Sequence, residues 1–503
     1  MQPYLVAHDL GTSGNKASLF TAGGTLVRSV TVPYAPRFFA GDRAEQNPDD
    51  WWRAVCEANH RLLEGEDKSR VAGVSFSGQM MGCVPVDRQG RALRPAIIWA
   101  DRRSREQEKA LRDRFSDDEF YRITGHRISA SYSLEKWMWI RDREPDVFSQ
   151  TYKMLQPKDY IIHRLTGAWV TDYSDASGTN CLDLEKRVWS HAILEAADMP
   201  ENILPDLHAS TDIAGTVPDF LSTACGLPAG TPVVIGAGDG VCAAVGAGSV
   251  AENQAYACLG SSAWVAYTAR KPVYDPQRRT YNWAHMVPGY VTPNGTMQAA
   301  GQSYAFLQRL LYSGEEEAYR LMDEAASASE IGAGGLLFLP YLLGERSPRW
   351  NPKARGAFVG LTMEHTKGDL VRAGLEGILM NLGVILSVFT GQAPLQGLRL
   401  IGGLANGALV PGMLADITGL PVYPLLDANE ATGIGAAVAA GVGTGVLPGF
   451  EAVDRFLTVR DPLWPDPART ARYARLRDAF EQCYRALVPV YDILETMSSH
   501  KGE

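Results

Sequence analysis

The sequence predicts an α/β protein of two lobes facing each other across a central cleft. Three observations lead there. The chain has 503 residues, more than one hydrophobic core usually organises. Short apolar strand patterns alternate with helical ones along its whole length. A strand, small-residue turn, strand device stands near the start and again near the midpoint, as Asp9-Leu10-Gly11-Thr12-Ser13 and Cys258-Leu259-Gly260-Ser261-Ser262. That placement points to duplication and puts the lobe boundary near residue 250, with lobes of residues 1–249 and 250–503.

Each element follows from local pattern. Residues 4–8 read as a strand, 9–15 as a polar, Gly-rich turn and 16–20 as the returning strand. Ala22-Gly23-Gly24 then turns into a third strand over 25–32. A strand followed directly by a helix would suit a dinucleotide fold; a meander does not. Helical spacing covers 48–63 and 102–114, and 69–76 is a buried strand ending at Ser77-Gly78. Strands at 232–235, 256–259 and 398–401 each run into glycine, and 263–267 is the strand that returns from Gly260-Ser261-Ser262. Residues 369–389 carry Leu375, Ile378, Leu379, Leu382, Ile385, Leu386 and Phe389 at helical steps. A last helix over 468–494 places Tyr473, Leu476, Phe480, Tyr484, Leu487 and Tyr491 on one face.

Composition narrows the function. Hydrophobic residues make up 46% and charged residues 21%, as in ordinary globular proteins. A net charge of −9 provides no basic field and argues against nucleic acid as a partner. Backbone N–H groups can still hold a small anion. The seven cysteines are scattered without a CxxC pair, which fits neither a disulfide framework nor a zinc site. The N-terminus lacks the features of a signal peptide, and the least polar runs, such as 433–447, are too short to span a bilayer. The expectation is a soluble cytoplasmic protein with no membrane partner; a homodimer is compatible with it.

Several residues could carry chemistry. Asp9 ends a strand beside Gly11, Thr12 and Ser13, with Lys16 just beyond. Glycines admit an anion to the backbone, hydroxyls donate to phosphate oxygens, and the carboxylate can hold magnesium. The same residues also suit a plain hairpin turn. Gly260, Ser261 and Ser262 repeat the donors without the carboxylate, as suits two loops gripping one polyphosphate. Asp239 follows an apolar strand and Gly236-Ala237-Gly238, where it could accept a hydroxyl proton in a poorly solvated cleft or cap a helix. Gln79, Met80 and Met81, with Trp99 and Asp101-Arg102-Arg103, offer the polar forks and apolar wall of a sugar pocket. The methionines equally suit a core, and the arginines a solvated helix start.

In sequence order these motifs resemble the FGGY family of carbohydrate kinases over nearly the whole chain. The matching stretches are Asp9–Lys16, SGQMMG (77–82), WADRR (99–103), SYSLEKWMWI (131–140), Lys158-Asp159-Tyr160, TDYSDASGT (171–179), 236–248, GAFVGL…DLVRAGLE (356–376), GGLAN (402–406) and EATGIGAAVAA (430–440). The resemblance implies an actin-like ATPase fold, with two ribonuclease H-like domains closing over ATP, Mg²⁺ and a sugar or polyol. It implies Asp239 as catalytic base, Asp9 at the metal, and Gly11, Thr12, Ser13, Lys16, Gly260, Ser261 and Ser262 at the phosphates. Gly402, Gly403 and Asn406 would border the adenosine, and Gln79, Met80, Met81 and Trp99 the sugar. The order of motifs is most similar to xylulokinase members, which implies a ketopentose such as D-xylulose, phosphorylated at a terminal hydroxyl. Four positions depart from the pattern, Gly374 in the 356–376 stretch only slightly. Met81 replaces a histidine and Gly240 an asparagine, while Arg143 stands where a polar or acidic residue is usual. The Met81 change leaves ribulose, erythritol or glycerol as alternative acceptors. A nucleotide-dependent sugar sensor on the same scaffold is the rival outside enzymes.

Overall fold

A computed structural model describes residues 2–40, 42–426 and 428–498. Its first sheet has seven strands: β1 (Tyr4–Leu10), β2 (Gly14–Thr21), β3 (Leu26–Pro33), β4 (Val71–Gly78), β5 (Ile213–Thr216), β6 (Pro232–Val234) and β7 (Ala237–Gly238). They run in the order β5–β6–β4–β1–β2–β3, with β7 also paired to β4. The second sheet has six: β8 (Ala255–Leu259), β9 (Ala263–Tyr267), β10 (Tyr281–Ala284), β11 (Val291–Met297), β12 (Leu398–Ile401) and β13 (Val422–Pro424). Their order is β10–β11–β9–β8–β12–β13.

The repeated turn seen in the sequence belongs to a repeated sheet. Strands β3–β2–β1 form an antiparallel meander that continues in parallel through β4 and β6. Strands β11–β9–β8 followed by β12 and β13 do the same. This is the two-domain, ribonuclease H-like architecture of actin-like ATPases and sugar kinases. β1 is buried along its length apart from half-buried Asp9, as a central strand covered on both faces must be.

The helices that position the site are α1 (Pro48–Leu62), α2 (Ser133–Arg143), α3 (Pro157–Thr166), α4 (Tyr173–Ser177), α5 (Asp239–Gly246), α6 (Lys367–Thr390), α7 (Ala431–Gly443) and α8 (Pro467–Ser498). α1 packs on β2 and β3. Asn47 caps it by accepting the Asp49 N–H, and proline occupies its first turn, where a missing N–H costs nothing. The helix expected over 102–114 begins later, at Arg105. Arg102 and Arg103 stay outside it because the buried Asp101 carboxylate binds the Arg103 N–H and guanidinium and also the Ala44 N–H.

α6 starts with a capping box between Thr366 and Asp369. It is the one helix among the described residues long and apolar enough to cross a bilayer, and 89% of that apolar stretch is enclosed by the second lobe. On α8, Tyr473, Phe480, Tyr484 and Tyr491 are buried, while Leu476 and Leu487 pack at the margin of the same core. α7 leaves the second lobe and packs on β1, β4 and α5 of the first. The α5–α7 crossing is a backbone contact. A Cβ on Gly246 would lie 1.7 Å from the Ala431 carbonyl oxygen, and one on Gly435 2.1 Å from that of Cys242.

Candidate active site

The site is built at one sheet mouth. Strands β1, β4 and β7 lie side by side in parallel, with Asp9 opposite Ser77 and Gly238 opposite Gly78, and open sheets of this kind bind ligands beyond the carboxyl ends of their strands. Asp9 ends up one strand away from the backbone that carries Asp239. Its Oδ1 accepts from Ser77 Oγ at 2.9 Å and its Oδ2 from Thr432 Oγ1, on α7, at 2.6 Å. Burial raises its pKa, while these two hydroxyls and Lys16 favour the ionised form.

Asp239 is the first residue of α5 and not its cap; Gly238 holds the cap position. The Asp239 carboxylate accepts the Gly240 N–H at 2.7 Å. Burial, reinforced by the negative charge of Asp9, pushes its pKa up to about 7. Two neighbouring carboxylates with different environments are thus set apart: burial raises both, but two hydroxyls and Lys16 oppose the rise at Asp9, whereas only the Gly240 N–H opposes it at Asp239.

Beneath this mouth lies a fully buried ionic cluster. Lys158 Nζ sits 2.7 Å from Asp159, 3.0 Å from Asp172 and 3.2 Å from Asp175. Burial works against the ammonium charge, yet the three carboxylates raise its pKa well above the ordinary value. Ser174 Oγ donates to Asp172 and accepts the Gly238 N–H at 2.9 Å. A Cβ on Gly78 would lie 2.8 Å from Lys158 Cβ, so the strand mouth rests directly on the lysine stem.

The turn after β1 is braced throughout. The Gly11 carbonyl accepts from Tyr34 Oη at 2.8 Å, and the Thr12 carbonyl from Gln46 Nε2 at 2.6 Å. Trp99 Nε1 donates to Thr12 Oγ1 at 2.9 Å, and Gln79 Nε2 to Gln46 Oε1 at 2.7 Å. Gln79, Trp99 and Thr12 are therefore brought together. Ser13 is exposed. Lys16 is tied to the Glu430 carboxylate and the Asn429 carbonyl at the start of α7, so its charge is already matched.

The two methionines differ. Met80 is buried and fills the space beside Gly238, where a Cβ would lie 2.5 Å from its sulfur. Met81 has a left-handed backbone, φ 61°, and its carbonyl accepts from buried Lys136 Nζ at 2.7 Å. The same ammonium donates to the Ser131 carbonyl. Both methionines join an apolar cluster with Ala237, Tyr132, Tyr281, Trp283 and, at its edge, Trp99. A cavity of about 250 Å³ follows between the lobes, lined by Trp99, Arg102 and Tyr132 on one side and Glu345, Arg346 and Trp350 on the other. Sequence reasoning missed Tyr132 and Thr432 as site residues although both sit inside quoted motifs. It missed Tyr281, Arg346 and Trp350 outright, because nothing in their local pattern distinguishes them from core or surface.

Across the cleft, Gly260, Ser261, Gly403 and Asn406 line a cavity of about 700 Å³ together with Tyr319 and Asp323. The Gly260 and Ser261 carbonyls accept N–H groups at the start of the 301–311 helix. Gly402 stands at the head of the short turn 403–406, and Ser262 leads into β9. The sequence-predicted residues thus fall into two groups, one around the carboxylate-bearing mouth and one around the cavity of about 700 Å³ opposite.

A duplicated sheet with paired carboxylates at one mouth and such a cavity at the other defines an ATP-dependent phosphotransferase of the actin-like type. The chain belongs to the FGGY family of carbohydrate kinases, matching its N-terminal domain over residues 4–246 and its C-terminal domain over 255–444. It is 33% identical to the xylulose kinase of Escherichia coli (strain K12), over 96% of this chain and 99% of that protein. It is 29% identical to the gluconokinase of Bacillus subtilis (strain 168), over 98% of this chain and 95% of that one. The crystal structure of xylulose kinase from Rhodospirillum rubrum shares the fold with a TM-score of 0.91 at 29% identity, covering 97% of this chain and 100% of that structure.

Proposed function

We propose that this carbohydrate kinase transfers the γ-phosphoryl group of ATP to a terminal hydroxyl of a ketopentose, D-xylulose or a close relative. The observation that carries the reading is Asp239, a half-buried carboxylate at the start of α5 whose pKa is pushed up to about 7 by desolvation and by the charge of neighbouring Asp9. As the sugar oxygen attacks phosphorus, its proton passes to Asp239, and ADP leaves with the electrons of the broken P–O bond. Gln79, Trp99, Met80 and Met81 border the acceptor. Thr12, Ser13, Gly260, Ser261 and Ser262 donate to phosphates, with Lys16 adding charge from its pair with Glu430. Gly11, whose N–H is held by the Asp9 and Gly14 carbonyls, only leaves room beside them. Gly402, Gly403 and Asn406 border the adenosine. Residues 1–249 then carry sugar and base, and 250–503 carry the nucleotide.

Asp9 fits a magnesium site. Each of its oxygens accepts a single hydroxyl and keeps a free lone pair, and magnesium bound to phosphates needs only one or two carboxylates beside water. When bound, the ion would neutralise charge on the phosphates. Enclosure between the lobes keeps bulk water from competing as acceptor.

Met81 favours a second reading within the same chemistry. A thioether replaces a side chain that would pair a sugar hydroxyl, and an unmatched buried polar group costs about 1–3 kcal/mol, so a different ketose or a polyol would fit better. The test is ADP release with ATP, magnesium and a panel of pentuloses, hexuloses, aldonates and polyols. Selective turnover of D-xylulose supports the first reading, and of another acceptor the second. ATP binding without turnover of any acceptor would favour a sensor.

A further inference from the structure

Asp239 stands between three glycines, Gly236, Gly238 and Gly240. Such a segment leaves room for substrate but gives the backbone more freedom than any other residue type would. A base must be held within a fraction of an ångström of its target to be effective. Two hydrogen bonds from opposite directions restrain the peptide units one residue out on either side of Asp239. On one side, Ser174 Oγ accepts the Gly238 N–H. On the other, Tyr256 Oη donates to the Gly240 carbonyl at 2.8 Å.

Tyr256 belongs to the opposite lobe. It lies on β8, fully buried, and its oxygen accepts the Trp264 Nε1–H at 2.9 Å. Trp264 lies on β9 as the pairing partner of Cys258. Tyr256 and Trp264 therefore grip the two strands that enter and leave the Gly260–Ser262 loop. The relay runs from the proposed phosphate loop of one lobe, through indole and phenol, to the Gly240–Val241 peptide, one residue beyond the carboxylate of the other. Around it, Ala243, Ala244, Ala247, Tyr256, Cys258 and Ala266 form one small apolar cluster across the seam.

We propose that Tyr256 is a positioning residue for Asp239, aligning the base through the Gly240 carbonyl when the nucleotide loop is in place. This rests on the assignment of Asp239 as base. Tyr256→Phe removes one oxygen and keeps the ring in the seam. At saturating ATP and acceptor it should lower kcat by about tenfold or more, a modest share of what misplacement of a reacting group can cost. The KM and Kd for ATP should stay within about twofold. Trp264→Phe should act in the same direction more weakly, and the double variant should fall no further than Tyr256→Phe alone, as for residues in one relay.

A Tyr256→Phe enzyme with kcat within twofold of the parent, or one whose loss appears equally in ATP affinity, overturns the positioning role alone. If Asp239→Asn keeps its activity, or the parent phosphorylates nothing on the acceptor panel, the underlying assignment fails as well. Melting temperature is followed in each variant. A Tyr256→Phe chain that is destabilised but catalytically normal also overturns the proposal.

Discussion

The turn between β1 and β2 and the turn between β8 and β9 close the same corner of the same sheet topology, yet they are furnished in opposite ways. The first is preceded by a carboxylate, and Tyr34, Gln46 and Trp99 brace it from three separate segments, with Gln79 holding Gln46. The second has no charge of its own. Its carbonyls are taken up by the start of the next helix, and Ser261 is left exposed to the cavity. Duplication supplied two equivalent mouths, and the side chains then divided the labour between them. In the proposed reading the mouth with carboxylates manages protons and charge, and the other offers small donors to a large ligand.

Breaking the carboxylate side should have the largest effect. Asp239→Asn should lower kcat by about 10²–10⁴-fold while leaving ATP affinity within a few fold. Ser261→Ala, on the opposite turn, should instead raise the KM for ATP with kcat nearly unchanged. Steady-state kinetics with both substrates varied would separate the two sides, and a large kcat loss at Ser261 would erase the distinction.

Next comes the cluster beneath the first mouth. Lys158→Met leaves three carboxylates without their cation in a site closed to water, which should destabilise the chain by about 3–5 kcal/mol. A urea midpoint equal to the parent's would show that the cluster has relaxed or taken up protons at no cost.

A smaller effect is a matter of pH. As the proposed base, Asp239 must be deprotonated to act, and its pKa is pushed up to about 7. Activity per unit acceptor should therefore rise with pH through that region and level off above it. Asp9 is the charged group facing it, with Tyr256 and Tyr281 nearby. A kcat/KM profile flat between pH 6 and 8 (an interval of about one unit each side of the base) would contradict a base of this kind.

The smallest change sharpens the acceptor side. Met81→His should shift preference toward D-xylulose by several fold in relative kcat/KM, provided the side chain borders the sugar. An unchanged ranking of acceptors would return Met81 to the core, where its neighbours already place Met80.

Much of this was legible in sequence because the strand–turn–strand units are local. Residues 4–33 form a meander that alternation and Gly-rich turns give away, and 255–267 repeats it. Asp9 and Asp239 stand out because a carboxylate after an apolar strand is conspicuous. The partners of those carboxylates were not legible. Thr432 reaches Asp9 across more than 400 residues, and Tyr256 meets Gly240 from another sheet. No spacing rule links such pairs. Likewise Lys16 reads as a free charge beside a phosphate loop until α7 arrives with Glu430. The late start of the helix at Arg105 had the same cause, a buried aspartate from the preceding turn claiming the arginine first.

α7 has one more consequence. The segment that seals β1 and β4 and gives Asp9 its second hydroxyl is made only after some six-sevenths of the chain. During synthesis the first lobe waits with an uncovered apolar sheet while the second lobe is being assembled. An isolated fragment ending near residue 250 would keep that exposed surface for good, and separate expression of the halves would give soluble material only where the late helix is supplied in trans.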